Sequence, residues 1–186
     1  DYQAFEDASL SEVINTFSKF PRKEKVLPLI KKKTLVERLN VFYSDLNRLD
    51  LSSWDVSNVS EMSNTFYNTT FIAQDLHDYG LGMWNISKLN DLSFLFYKSN
   101  FNQNIDSWDV SNVTRFHAMF VLSEFSQDIN NWDMSNATDT SYMFAESSFN
   151  GEIYNWNLPK VETMELMFFN AKDFNQDIGN WDVSNV

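Results

Sequence analysis

The hexapeptide Trp-Asp-Val-Ser-Asn-Val stands at residues 54–59, 108–113 and 181–186 of this 186-residue chain. Degenerate copies of it occupy residues 84–89 (WNISKL), 132–137 (WDMSNA) and 156–161 (WNLPKV). Self-similarity at a fixed period in this range is typical of solenoids, in which each repeat stacks on the next. We therefore predict one row of indoles and repeats that start near Trp54, Trp84, Trp108, Trp132, Trp156 and Trp181, the last of them truncated.

The apolar positions within a repeat predict one short helix and one short strand. In residues 113–120 they recur with the spacing i, i+3, i+6 and i+7, which is one face of a two-turn helix. The Ser-Asn pair before this segment is a preferred helix cap. A strand is predicted over sections such as 104–110, with a bend between Ile105 and Trp108 because strict alternation would place them on opposite faces.

These elements together predict a curved, two-layered stack. Parallel strands stack about 4.8 Å apart, whereas packed helices need about 8–10 Å. The predicted fold class is therefore α/β: a leucine-rich-repeat-like solenoid with short parallel strands on the concave side and short helices on the convex side. Residues 1–46 do not follow the repeat and carry helical apolar spacing, so we predict a helical N-terminal cap there and the repeat solenoid over 47–186.

The composition argues against several classes of partner and site. Residues 51–186 hold 5 Lys/Arg against 18 Asp/Glu, and so acidic a surface argues against nucleic acid or an anionic membrane as the partner. The absence of cysteine excludes disulfides and thiolate zinc sites. No apolar run approaches the roughly 18–20 residues of a membrane span, so no direct membrane insertion is expected. The chain begins at Asp1 and stops inside a repeat, which predicts that it is part of a longer protein.

The repeat resembles that of the BspA-like leucine-rich-repeat surface proteins, which are widespread in bacteria, including mycoplasmas. The stretches that carry the resemblance most fully are FNQNIDSWDVSNV (101–113) and FNQDIGNWDVSNV (174–186), where polar as well as apolar positions agree. The resemblance covers about residues 47–186. It implies an extracellular, cell-surface location and protein-binding or adhesive roles, and it brings no catalytic residues with it.

Polar residues on either side of each inward-pointing isoleucine form two columns that should face outward on the strand side. Two interpretations of these columns are open. In one they form an acidic recognition surface with a tyrosine anchor, and in the other they form a solvated sheet whose charges resist aggregation. An insertion in the first repeat is a second candidate site, weighed against a tolerated surface loop. The candidate binding residues are Asn104, Asp106, Asp128, Asn130, Glu152, Tyr154 and Asp177 in the columns, and Asp75, His77, Asp78 and Tyr79 in the insertion.

No motif in the sequence predicts catalysis or a cofactor site. The carboxylates that follow most of the tryptophans could share Ca²⁺, which prefers oxygen ligands, but helix capping accounts for them better. An acidic pair such as Asp106 and Asp128 could serve as a glycosidase dyad, although nothing singles out one pair. We therefore expect no catalytic residues, no metal and no cofactor.

We interpret the chain as a non-catalytic cell-surface module for protein binding or adhesion that uses the strand face of the solenoid. The expected partner is a protein, for instance a component of the host extracellular matrix or cell surface, and the expected location is extracellular. A structural spacer or stalk that displays another domain is the alternative. A glycan-binding or glycan-hydrolysing solenoid is a third interpretation, and the sequence favours it least.

Overall fold

The computed structural model describes residues 52, 55–59, 62–69, 71 and 79–186. Within them the chain forms a stack of coils, where a coil is the stretch from one tryptophan to the next. Isolated parallel β-bridges join equivalent residues of successive coils, from Asp91 to Arg115, from Arg115 to Asp139 and from Asp139 to Thr163. The predicted helical cap, residues 1–46, lies outside the described residues.

The predicted α/β fold class is wrong for the part of the chain that is described. These residues contain no α-helix and no β-strand, and their one helical element is a single 3-10 turn at Leu81–Met83. Accordingly, none of them belongs to a helix with the length and apolar character needed to cross a membrane. Neither concave strands nor convex helices build the repeat. Tight turns build it instead.

Hydrogen bonds between coils take the place of the predicted helix. In residues 116–122 every second N–H donates to the next coil, over 2.8–3.0 Å, the acceptors being the carbonyls of Asp139, Ser141, Met143 and Ala145. Between these donors, the N–H groups of Met119 and Val121 close turns on carbonyls three residues back, at 3.2 and 3.4 Å. An α-helix would direct each donor to the carbonyl four residues back. Because those N–H groups donate to carbonyls of the neighbouring coil, they are not available for bonds within a helix.

These turns place residues other than glycine in the left-handed backbone region. A left-handed residue with a side chain costs roughly 1–2 kcal/mol, and Asn adopts this conformation more readily than bulky residues do. Ten such residues have φ between 51° and 61°, namely Asn64, Asn68, Phe94, Lys98, Ala118, Leu122, Tyr142, Glu146, Leu166 and Asn170. All but the last two donate their N–H to the next coil, and those bonds offset the cost.

A tight turn also replaces the predicted strand. Trp108 donates its backbone N–H to the Ile105 carbonyl at 3.0 Å, and Trp132 does the same to Ile129 at 3.2 Å. The bend that the sequence required between Ile105 and Trp108 is therefore confirmed. Because it recurs in each coil, it interrupts the extended backbone that a paired strand needs.

Three columns of stacked aromatic rings form the centre of the core. Successive ring centroids in a column lie 5.4–6.4 Å apart, within the range of favourable aromatic pairs. The predicted row of indoles is confirmed for Trp108, Trp132, Trp156 and Trp181, whereas Trp54 lies outside the described residues. The columns are Trp108, Trp132, Trp156 and Trp181; Phe101, Phe125, Phe149 and Phe174; and Phe66, Phe96, Phe120, Phe144 and Phe168.

Candidate functional site

The hexapeptide that marks each repeat forms hydrogen bonds to the preceding coil. The Trp132 indole N–H donates to the Ile105 carbonyl of the preceding coil at 3.0 Å, and Trp156 donates to Ile129 at 2.8 Å. The indoles of Trp108 and Trp181 make equivalent bonds at 2.7 and 3.1 Å. Phenylalanine could stack in the same column but has no N–H to donate. This bond is the physical reason for tryptophan at the position.

The Asp or Asn residue after a tryptophan closes a turn within its own coil, except at Asn157, where Pro159 has no N–H to donate. Asp109 Oδ1 accepts the Ser111 N–H at 3.1 Å, and Asp133 Oδ1 accepts the Ser135 N–H at 3.0 Å. The asparagine of the motif reaches the preceding coil, since Asn136 Nδ2 donates to the Ser111 carbonyl at 2.7 Å. The prediction that these residues cap helices is wrong, because no helix starts here. They form Asx turns, in which the side chain accepts an N–H two residues on.

The same turns lower the pKa of two carboxyl groups. Hydrogen bonds from the Ser135 hydroxyl and backbone hold the pKa of Asp133 below its ordinary value of 3.8. Bonds from Ser184 lower the pKa of Asp182 in the same way. A carboxyl whose pKa is lowered by folding stabilises the fold above its ordinary pKa, and that stabilisation is lost as the pH falls through the folded value.

Asp133→Asn is expected to keep the stability at pH 7 within about 0.5 kcal/mol of wild type, because Asn85 makes the equivalent turn with Ser87 at 3.1 Å. Below about pH 3.8 the wild-type protein should lose stability that Asp133→Asn does not lose. Urea unfolding at about pH 7 and pH 3 measures the difference. Asp133→Ala, which has no acceptor, should lose about 1 kcal/mol already at pH 7. Identical pH dependence in wild type and Asp133→Asn would contradict this account.

Three of the predicted column residues hold neighbouring coils together. Asp106 accepts the backbone N–H of Asn131 at 3.0 Å and also its side-chain amide. Asp128 accepts the Glu152 N–H at 2.8 Å, and Asn130 makes the matching bond to the following coil at 2.8 Å. Their oxygen atoms are therefore part of the stack. Their role in ligand binding stays a prediction.

The remaining column residues divide into two pairs. Asn104 Oδ1 accepts the Asp106 N–H and Asp177 Oδ1 accepts the Gly179 N–H, both at 2.9 Å, so each closes a turn in its own coil. The Glu152 carboxylate and the Tyr154 hydroxyl have no hydrogen-bond partner in the described part of the chain. Both side chains are exposed, and 46 % of Tyr154 is accessible. Among the candidate column residues, these two are the ones whose side chains make no hydrogen bond to a described residue.

Of the four candidate residues in the insertion, the structure describes Tyr79, and its side chain is in the core. The Tyr79 ring is buried and meets the Phe71 ring edge-on at 5.2 Å, while its backbone N–H donates to Gln103 Oε1 at 3.0 Å. Tyr79 is therefore not an exposed anchor. Asp75, His77 and Asp78 lie outside the described residues, and their role in binding stays a prediction.

A second apolar cluster lies outside the aromatic columns, and the sequence analysis missed it. In it Ala118, Val121 and Ala145 are buried beneath half-buried rings, those of Phe94, Tyr97 and Tyr142. A signal for it exists, since the apolar residues 94, 118 and 142 recur at intervals of 24, as do 97, 121 and 145. The helical interpretation of this segment concealed the signal, because in a helix both sets of residues would lie on the side that faces solvent.

His117 lies beside this cluster in a structural network. Its ring meets Phe94 at 5.1 Å and Tyr142 at 5.8 Å, both edge-on, and its Nδ1 is 2.8 Å from Ser141 Oγ. The Ser141 hydroxyl also contacts the Asp139 carboxylate, the stronger acceptor of its single proton. His117 Nδ1 lies within hydrogen-bond distance of the same hydroxyl, so the imidazole, Ser141 and Asp139 form one network. The described residues include no group of three or more His, Asp or Glu placed to hold a metal ion.

Comparison with known proteins gave a match to one family. The model of the family described as "Mycoplasma protein of unknown function, DUF285" matches residues 30–82 and again residues 77–181. Together these matches cover well over half of the chain and include every complete coil. No curated protein and no solved structure matched.

Proposed function

This chain belongs to the Mycoplasma-associated repeat family DUF285, and on that premise we propose that it is a non-catalytic cell-surface module that binds a protein. The family membership agrees with a surface repeat protein of the BspA-like kind. Adhesion to a host extracellular-matrix or cell-surface protein, and an extracellular location, are the finer parts of the proposal. They rest on the resemblance and on the exposed groups of the stack.

The stack supplies the rigidity that a recognition surface needs. Each coil is joined to the next by main-chain bonds, by indole bonds and by the polar columns. Side chains that project from such a scaffold have a fixed position relative to one another, which lowers the entropy lost when a partner is bound. An exposed residue on this scaffold can therefore contribute more of its contact energy to binding than one on a loop.

The observation that carries the proposal is the exposure of Tyr154. At the equivalent position of the two preceding coils, Asp106 and Asn130 bond to the next coil. Tyr154 makes no such bond and presents an aromatic ring to solvent two residues from the Glu152 carboxylate. Tyrosine is enriched among residues that dominate binding energy at protein interfaces. We assign Tyr154 as the anchor of the binding surface, with Glu152 as its charged neighbour.

Tyr154→Ala is expected to weaken binding to the protein's partner about 30-fold, as loss of a dominant interface residue does. The ring is exposed, so the free energy of unfolding should change by less than about 0.5 kcal/mol. A panel of purified extracellular-matrix proteins, immobilised for surface plasmon resonance, provides the measurement. Met83→Ala is the matched control, because Met83 is 77 % exposed and lies outside the polar columns.

The two variants separate a specific anchor from general surface stickiness. Loss of binding in Tyr154→Ala with binding kept in Met83→Ala supports the proposal. Equal affinity of Tyr154→Ala and wild type for a bound matrix protein would remove Tyr154 from the interface. An absence of binding to any member of the panel would count against the matrix-binding function itself.

A structural spacer is the second candidate function, and one observation favours it. Three of the seven candidate column residues hold neighbouring coils together through hydrogen bonds, namely Asp106, Asp128 and Asn130. A spacer needs rigidity and length but no exposed anchor. An array shortened by one coil distinguishes the two, since a spacer tolerates the loss of the coil that carries Tyr154 whereas a binding module does not.

A further inference from the structure

The second apolar cluster is part of a longer surface feature, which we name the outer apolar stripe and define as Tyr67, Phe94, Tyr97, Leu122 and Tyr142. The Tyr67 and Tyr97 rings stack at 4.7 Å, and Phe94 meets Tyr97 at 5.9 Å. His117 links Phe94 to Tyr142 through its two edge-on contacts. These rings therefore run along the stack across successive coils, and Leu122 directly follows Val121, which is buried beneath them. Tyr67 and Leu122 are 39 % and 38 % exposed, and the other three are half-buried.

The backbone under the stripe is unfavourable for the residues that it carries. Phe94, Leu122 and Tyr142 all have left-handed φ, between 55° and 57°. At equivalent positions in other coils stand Asn64 and Asn68, residues that adopt this conformation at lower cost. Stacking therefore does not require large apolar side chains here. Phe94 and Tyr142 cover the buried Ala118, Val121 and Ala145, but part of each ring stays in water, as does part of Leu122. This exposed part of the stripe is open to a partner.

Charge beside the stripe defines what would bind to it. The Glu165 carboxylate accepts the Tyr142 hydroxyl at 3.3 Å, and partial desolvation together with this carboxylate raises the pKa of Tyr142. Glu146 and Lys98 share the column of Leu122, and Glu124 follows Leu122 by two residues. Carboxylates thus outnumber cations along the stripe. Residues 79–186 as a whole hold 14 Asp/Glu against 5 Lys/Arg.

We propose that the outer apolar stripe is a docking surface for an extended protein segment in which apolar side chains alternate with lysine or arginine. Apolar residues of that segment would cover the stripe, and its cations would meet Glu124, Glu146 and Glu165. The inference rests on the proposed protein-binding function, but it assigns the contact to a surface separate from Tyr154. A purely apolar or acidic segment would lack the charge match.

The test uses a fluorescein-labelled peptide of alternating Lys and Leu as the probe, titrated with the whole chain and followed by fluorescence anisotropy. Leu122→Asn combined with Tyr142→Asn should weaken binding of this peptide at least about 10-fold, and Leu122→Asn alone about 3-fold. Asn suits left-handed backbone, so Leu122→Asn should not unfold the chain. Tyr154→Ala is the matched control, because it removes an exposed ring elsewhere.

Two further peptides divide the contribution of charge from that of apolar contact. Replacing Leu by Ser in the probe leaves only its charge, and replacing Lys by Glu reverses that charge. We expect the Lys-Leu probe to bind more tightly than either of these two peptides. The stripe variants should weaken its binding, and Tyr154→Ala should leave it unchanged. Undiminished binding of the probe by both stripe variants, or equal binding of the Lys-Ser peptide, would overturn the proposal.

The remaining outcomes separate this inference from the proposed function. Concentration-dependent self-association of wild type in sedimentation velocity, abolished by Leu122→Asn, would assign the stripe to a second copy of the chain and overturn the peptide proposal. Loss of matrix-protein binding in Tyr154→Ala, with no effect of the stripe variants on the Lys-Leu probe, would keep the proposed function and reject the stripe.

Discussion

Phe144→Ala is expected to lower the free energy of unfolding by about 3–5 kcal/mol, the range for truncating a fully buried phenylalanine. The ring stacks on Phe120 at 5.6 Å, on Phe149 at 3.9 Å and on Phe168 at 5.6 Å. Truncation would therefore open a cavity between two ring columns. Hydrogen bonds between coils fix the surrounding backbone, so the cavity cannot close by collapse. Urea unfolding monitored by tryptophan fluorescence measures the loss.

Phe169→Ala provides the control for this prediction. Phe169 is next to Phe168 in the sequence but is 54 % exposed, so its truncation should cost less than about 1 kcal/mol. A loss below about 1.5 kcal/mol for Phe144→Ala would mean that the ring columns do not carry the stability of the stack.

Trp132→Phe is expected to cost about 2–4 kcal/mol although an aromatic ring remains. The indole N–H donates to the buried Ile105 carbonyl at 3.0 Å, and phenylalanine would remove this one of the two hydrogen bonds that the carbonyl accepts, the other coming from the Trp108 backbone N–H. The indole also stacks between Trp108 and Trp156, both at 6.4 Å, so the smaller ring loses contact on two sides. Thermal and urea unfolding of the purified variant provide the measurement.

Trp181→Phe is the matched change at the end of the described stack. Trp181 makes the same kind of bond, to Ile153 at 3.1 Å, but it stacks on one indole, that of Trp156. Trp181→Phe should therefore lower the free energy of unfolding by less than Trp132→Phe does. Stability of Trp132→Phe within about 0.5 kcal/mol of wild type would show that the indole bond does not join the coils.

The sequence predicted which residues stack but not which polar side chains bond to the next coil. Asp106, Asp128 and Asn130 were selected as outward polar groups, and the bonds that they make to the next coil were not foreseen. Such a bond depends on the distance and angle between two coils, and a list of polar positions contains neither. Tyr154 was identified for its aromatic character, and its exposure agrees with that choice. The outer apolar stripe became visible only when the helical interpretation was replaced.

The sequence by itself determined the period of the stack, the row of indoles and the bend between Ile105 and Trp108, because identical spacing brings identical side chains into register. Only the tertiary structure decided the backbone conformation between these points. The spacing i, i+3, i+6 and i+7 is compatible with a helix and with a series of tight turns. The difference is the destination of N–H groups such as those of Phe116 and Ala118, which donate to carbonyls of the neighbouring coil. Those carbonyls are 23 residues further along the chain, beyond the reach of any local pattern.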